Sequence, residues 1–75
     1  MEKGKTMSEH EKKVILALAD NRLNTSDAAN ALNLHRNTVL YHIGKIRWST
    51  GLDPLDFHDM CKLYAMVRGE RKDNV

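Results

Sequence analysis

Arg36, Asn37 and Thr38 stand together in the run HRNT, and Tyr41 and Lys45 follow Asn37 at four-residue steps. These side chains suit contact with nucleic acid better than catalysis. An arginine fork matches the O6 and N7 acceptors of guanine, and an asparagine amide pairs two-pronged with adenine. Arg36 and Asn37 are therefore candidate base readers. The hydroxyls of Thr38 and Tyr41 suit phosphate oxygens, and Leu40 can meet a thymine methyl group. His35 reads as a helix cap or a phosphate contact, and Lys45 and Arg47 would add charge against the flanking backbone.

Charge distribution points the same way. The 75-residue chain carries a formal net charge of only +2, yet no acid occurs from Ala28 to Leu52. Arg36, Lys45 and Arg47 fall inside that window, along with His35 and His42, and acids return at Asp53, Asp56 and Asp59. A locally basic segment in a near-neutral chain is the electrostatic footprint of a nucleic-acid contact. A solvated helix face would carry the same pattern.

Four helices account for the spacing of apolar residues. Ser8 with Glu11 forms a capping box that opens a first helix over Glu9 to Asp20, with Val14, Ile15, Leu18 and Ala19 at helical intervals. Asn21 to Asn24 read as a loop. Ser26 is the expected N-cap of a second helix, and its free first-turn amides, near Ser26 and Asp27, suit a phosphate. Asn33 is placed to end that helix in the left-handed conformation, with Leu34 turned inward. A third helix begins near His35 or Arg36, buries Val39, Ile43 and Ile46 at i, i+4 and i+7, and stops at Gly51. His35, Arg36, Asn37, Leu40, Tyr41 and Gly44 are its expected exposed face. Asp56 and Asp59 cap a fourth helix that runs to about Gly69.

Three positions tie the middle pair into a helix-turn-helix. Ala29 is small where two helices must cross. Asn33, four residues later, suits the turn, and Val39, ten after Ala29, locks the third helix onto the second. Such a unit lays its second helix in the major groove of DNA.

The run LNLHRNTVLYHIGKIRWSTGLDPLDFHDMCKLYAMV resembles the C-terminal helix-turn-helix domain of PucR-type bacterial regulators. HRNT, Tyr41, Ile46 and TGLD carry the likeness, which spans about Val14 to Val67. A wider likeness, through Arg36, Thr38 and the apolar pattern, extends to the Fis-type helix-turn-helix. The resemblance implies a four-helix domain that binds operator DNA, commonly as a dimer and beside a sensory domain. Relatives commonly carry arginine where this chain has Leu40, His42 and Gly44. Each phosphate left without a cationic partner lowers the salt slope of binding by about one unit.

The remaining reactive residues invite blander readings. His10, His35, His42 and His58 have no paired ligand spacing, so no metal is expected, nor any cofactor. His42 reads as an exposed helix residue. Cys61 lies on an apolar stripe with no evident base and reads as a buried thiol, and the chain's one cysteine cannot form an internal disulfide. Trp48 is expected to pack against the fourth helix. The apolar surplus there, Met60, Leu63, Met66 and Val67, is either core or a dimer face. No catalytic constellation and no Gly-rich phosphate loop appear. No run approaches the roughly 20 apolar residues of a membrane span, and the start lacks the apolar core of a secretory signal.

The sequence therefore predicts an all-α, four-helix domain with a central helix-turn-helix over residues 8–69. A flexible segment, residues 1–7, would precede it, and a flexible tail, residues 70–75, would follow. It predicts a cytoplasmic, non-enzymatic binder of double-stranded DNA. Ser26, His35, Arg36, Asn37, Thr38, Leu40, Tyr41 and Lys45 are its expected contacts, with a homodimer through the fourth helix. The alternative is a protein-interaction or dimerisation module that keeps the fold without strong DNA binding.

Overall fold

The computed structural model describes residues 7–69. Four helices follow one another: α1 (Glu9–Asp20), α2 (Thr25–Leu32), α3 (Arg36–Thr50) and α4 (Phe57–Gly69), with no strand among the described residues. This is the all-α architecture expected, and α1 keeps the expected bounds. The expected tail at residues 70–75 lies outside the described residues, as does most of the expected flexible start. Met7 is described, and it is buried in the core rather than loose.

The capping box opens α1. The Ser8 hydroxyl accepts from the Glu11 amide at 3.2 Å, and the Ser8 amide donates to Glu11 Oε1 at 3.1 Å. That reciprocal pairing explains why Glu11, a carboxylate, can be buried. Behind it, Val14, Ile15, Ala17 and Leu18 form the inner face of α1. Each of the larger aliphatic side chains contributes roughly 1.5–3 kcal/mol by leaving water.

Between α1 and α2 the chain turns through two left-handed residues, Arg22 (φ 56°) and Leu23 (φ 64°). Neither is glycine, so the turn carries some strain. It is offset by bonds across the turn: the Leu23 amide donates to the Leu18 carbonyl at 2.7 Å, and Asn21 Nδ2 donates to the Ala17 carbonyl at 2.8 Å. Leu23 also packs against the core.

The cap of α2 is not the expected one. Asn24, not Ser26, is the N-cap, and its side chain accepts from the Asp27 amide at 2.8 Å. Ser26 sits further in, exposed, in the first turn. Both residue types cap well. The early turn at Arg22 and Leu23 starts the helix sooner than the sequence pattern suggests.

The other end of α2 follows expectation. Asn33 takes the left-handed conformation (φ 64°, ψ 40°), and the Leu34 amide donates to the Ala29 carbonyl at 2.8 Å. This closes the helix as a left-handed cap does. Leu34 itself is partly exposed rather than turned inward.

Helix α1 is the hub. It packs against α2, α3 and α4, α2 also packs against α3, and the backbone of α4 comes close to α1 alone among the helices. Ala28 and Ala29 of α2, Val39, Ile43 and Ile46 of α3, and Met60 and Leu63 of α4 close the core around it. Two expectations fail on this arrangement. Trp48 does not pack on α4: it points away from the core and is exposed. Cys61 faces outward and is exposed rather than buried.

Gly51 ends α3 at φ 77°, a conformation other residues adopt only with strain. The returning acids then serve the turn. The Asp53 amide donates to Asp59 Oδ2, Asp53 Oδ1 accepts from the Leu55 amide, and Asp56 Oδ2 accepts from the Asp59 amide, each at 3.0 Å.

Candidate nucleic-acid interface

The αL turn at Asn33 and the packing of α2 on α3 set the angle at which α3 leaves the body. His35 is the N-cap residue of α3, but its side chain caps nothing. Its carbonyl accepts from the Thr38 and Val39 amides, and its imidazole is exposed. Arg36 and Asn37, the first two helical residues, are both exposed. No ion pair engages Arg36 among the described residues, so its donors are available.

Val39, Ile43 and Ile46 turn inward, which fixes what turns outward. Asn37, Tyr41, Gly44 and Trp48 recur at i, i+4, i+7 and i+11 and form the ridge opposite the core. Tyr41 is 62% exposed and Trp48 89%. Lys45 Nζ lies 5.7 Å from the centre of the Tyr41 ring, a cation–π contact that holds both side chains on the outer face. Arg47 is exposed on the flank of the ridge.

Of the expected contacts, the structure brings His35, Arg36, Asn37, Tyr41 and Lys45 onto exposed positions of one helix and its cap. Thr38 is half-buried and lines a shallow hollow with Ala29, Asn30, Asn33, Leu34 and His35. Ser26 stands apart, in the first turn of α2, and the Asp27 amide beside it, expected to be free for a phosphate, is taken by the Asn24 side chain. Leu40 departs from expectation. It is half-buried and packs against the core, so its methyl groups serve the fold.

His42 also differs from the expected exposed residue. It is half-buried, and its ring stacks on that of His10 at 5.8 Å between centroids and 7° from parallel. The ring of Tyr41 meets it edge-on at 5.5 Å. The sequence places His10 and His42 on separate helices and gives no sign of this pairing. Among the described residues no group of three or more His, Cys, Asp or Glu side chains is placed to hold a metal ion.

Trp48 is the residue of this exposed ridge that sequence reasoning placed elsewhere, against the fourth helix. Its spacing of seven from Tyr41 and four from Gly44 sets it on the outer ridge. That periodicity was the available signal.

Chemically, the face offers a planar guanidinium, an amide, a phenol, an ammonium and an indole, with no acid on the helix that carries them. It can donate hydrogen bonds to acceptor-rich, negatively charged surfaces. The family model for the PucR C-terminal helix-turn-helix domain matches residues 13–68. No curated protein and no solved structure matches the chain.

Proposed function

The chain belongs to the PucR C-terminal helix-turn-helix domain family, and from that premise we propose that it binds double-stranded DNA in a sequence-specific way, in bacterial transcription regulation. The observation that carries the reading is the opening of α3. Arg36 and Asn37 are exposed there, with no ion pair on Arg36 among the described residues, at the mouth of an acid-free helix whose angle is set by the αL turn at Asn33. Seated in the major groove, Arg36 reads a guanine and Asn37 an adenine. Ser26, His35, Thr38, Tyr41 and Lys45 position the phosphate backbone.

A second copy of the chain completes the reading. Phe57, Cys61 and Tyr64 recur at i, i+4 and i+7 along α4, and all three are exposed, Phe57 to 68%. With Ala19, Leu23 and Met60 they line an open, largely apolar groove of about 520 Å³. We assign this face to a homodimer, which would read two half-sites about 34 Å apart. A sensory domain, in a longer parent chain or in a partner, would supply the signal. No described helix is long and apolar enough to cross a membrane, and the cytoplasm, where bacterial DNA lies, is the proposed location.

Selection of binding sites from random duplex DNA tests the whole reading. Enrichment of a short motif, repeated at one-turn spacing, is the expected result. Absence of any enrichment, together with unmoved amide resonances for Ser26 to Tyr41 in low-salt titrations, would overturn it. The chain would then be an interaction module that keeps the fold.

A further inference from the structure

We propose that the last turns of α3 form a second DNA contact, in which Trp48 packs against the sugar–phosphate backbone and Gly44 lets that backbone approach the helix. The inference rests on the DNA-binding reading above and extends it to residues which that reading leaves unused.

Trp48 is the chain's one tryptophan, and at 89% exposure it does almost nothing for the fold. An indole has an apolar body and a single N–H donor, a combination that suits a surface which is apolar in one part and rich in acceptors in another. The edge of a DNA groove is such a surface, with deoxyribose carbons beside phosphate oxygens.

Gly44 supplies the second observation. It lies in the middle of α3, where glycine weakens a helix relative to alanine. A Cβ built there meets no protein atom within 4 Å, so no neighbour in the fold requires the missing side chain. Gly44 sits on the outer ridge between Tyr41 and Trp48, and with Arg47, Trp48, Gly51, Leu52 and Asp53 it lines a shallow hollow. What glycine offers at such a place is close approach of something from outside the chain.

Charge and length choose the occupant. Lys45 and Arg47 flank the ridge, and α3 carries no acid. The one carboxylate at the hollow, Asp53, lies beyond the end of α3 and accepts the Leu55 amide through Oδ1, while Arg47 lines the same hollow. Asn37 and Trp48 are separated by about 16 Å along the helix at 1.5 Å per residue. The major groove is about 12 Å wide. A helix that enters it at Asn37 therefore reaches the backbone wall near Trp48. Contacts of this kind strengthen binding to any sequence.

The single tryptophan makes its own test. Intrinsic fluorescence is followed as mixed-sequence and selected duplexes are added at low salt, with anisotropy of a labelled duplex reporting binding independently. In the free protein, acrylamide should quench Trp48 like an indole in water, and bound duplex should cut that quenching several-fold. Trp48→Ala should weaken specific and random duplexes alike, by about tenfold, as expected when a hydrogen bond to a charged group is removed. Gly44→Ala should raise the thermal midpoint and still weaken binding. Duplex binding with undiminished acrylamide access would overturn this inference and leave the DNA reading standing. An unaltered anisotropy would overturn both. Shielding of Trp48 by raised protein concentration alone would give the ridge to a second copy, against the inference. Gly44→Ala that binds as tightly as the parent would overturn the close approach.

Discussion

The rings of His10 and His42 lie 5.8 Å apart and within 7° of parallel, so the first turn of α1 is stacked on the helix that presents Arg36 and Asn37. Stacked rings contribute about 0.5–1.5 kcal/mol beyond their buried area, and the exposure of His10 places this pair at the low end. A double-mutant cycle of His10→Ala and His42→Ala should give a coupling of about 0.5 kcal/mol in denaturant unfolding. Strict additivity would show that the stack contributes nothing to stability.

Arg36→Ala should weaken specific DNA binding by about 1–3 kcal/mol and relax selection at one base position. The measurement is a comparison of the selected duplex with its single-base variants. An equal loss on selected and random DNA would place Arg36 on phosphate instead.

Lys45→Ala removes a charge held over the Tyr41 ring. It should weaken all duplexes alike and lower the slope of log affinity against log salt by about 0.9. An unchanged slope would separate Lys45 from the phosphates.

Asn24 and Ser26 exchange the roles their sequence suggests, and stability can tell them apart. Asn24→Ala breaks the 2.8 Å bond to the Asp27 amide and should cost about 1 kcal/mol. Ser26→Ala should stay within about 0.5 kcal/mol of the parent in urea unfolding, since it is exposed and caps nothing. DNA binding should nonetheless fall with Ser26→Ala if its hydroxyl meets a phosphate.

Phe57→Asp should leave the fold intact, because Phe57 is 68% exposed. In sedimentation equilibrium the parent should associate and the variant should remain monomeric. Its binding to a two-half-site duplex should fall toward that to a single half-site. A monomeric parent would rule out the second copy.

Much of the fold is legible in the sequence because its signals are local. The Ser8–Glu11 box, the Asn33 cap, the Gly51 stop and the Val39–Ile43–Ile46 stripe each depend on residues within a turn or two, and all four are present in the structure. The misreadings concern longer range. Asn24 and Ser26 both cap well, and the choice falls to the left-handed turn at Arg22 and Leu23, which no glycine announces. Trp48 and Cys61 belong to residue types that are usually buried, while the packing leaves the backbone of α4 close to α1 only. His10 and His42 stand 32 positions apart, and their stacking follows from how α1 lies across α3. Of the interface, the residue types at the opening of α3 can be read directly. The continuous ridge from Asn37 to Trp48 needs the inner face to be fixed first.

The backbone of α4 comes close to no helix but α1, whereas α1 lies close to all the others. Apart from the covalent link from Gly51 to Asp56, α4 is joined to the rest of the domain through its packing on α1. Val14, Ile15 and Leu18 on the inner face of α1 share one core with Ile46 of α3 and Leu63 of α4. Ile15→Val, at a fully buried position of that shared core, should cost about 0.5–1.5 kcal/mol in denaturant unfolding while leaving both outer faces unchanged.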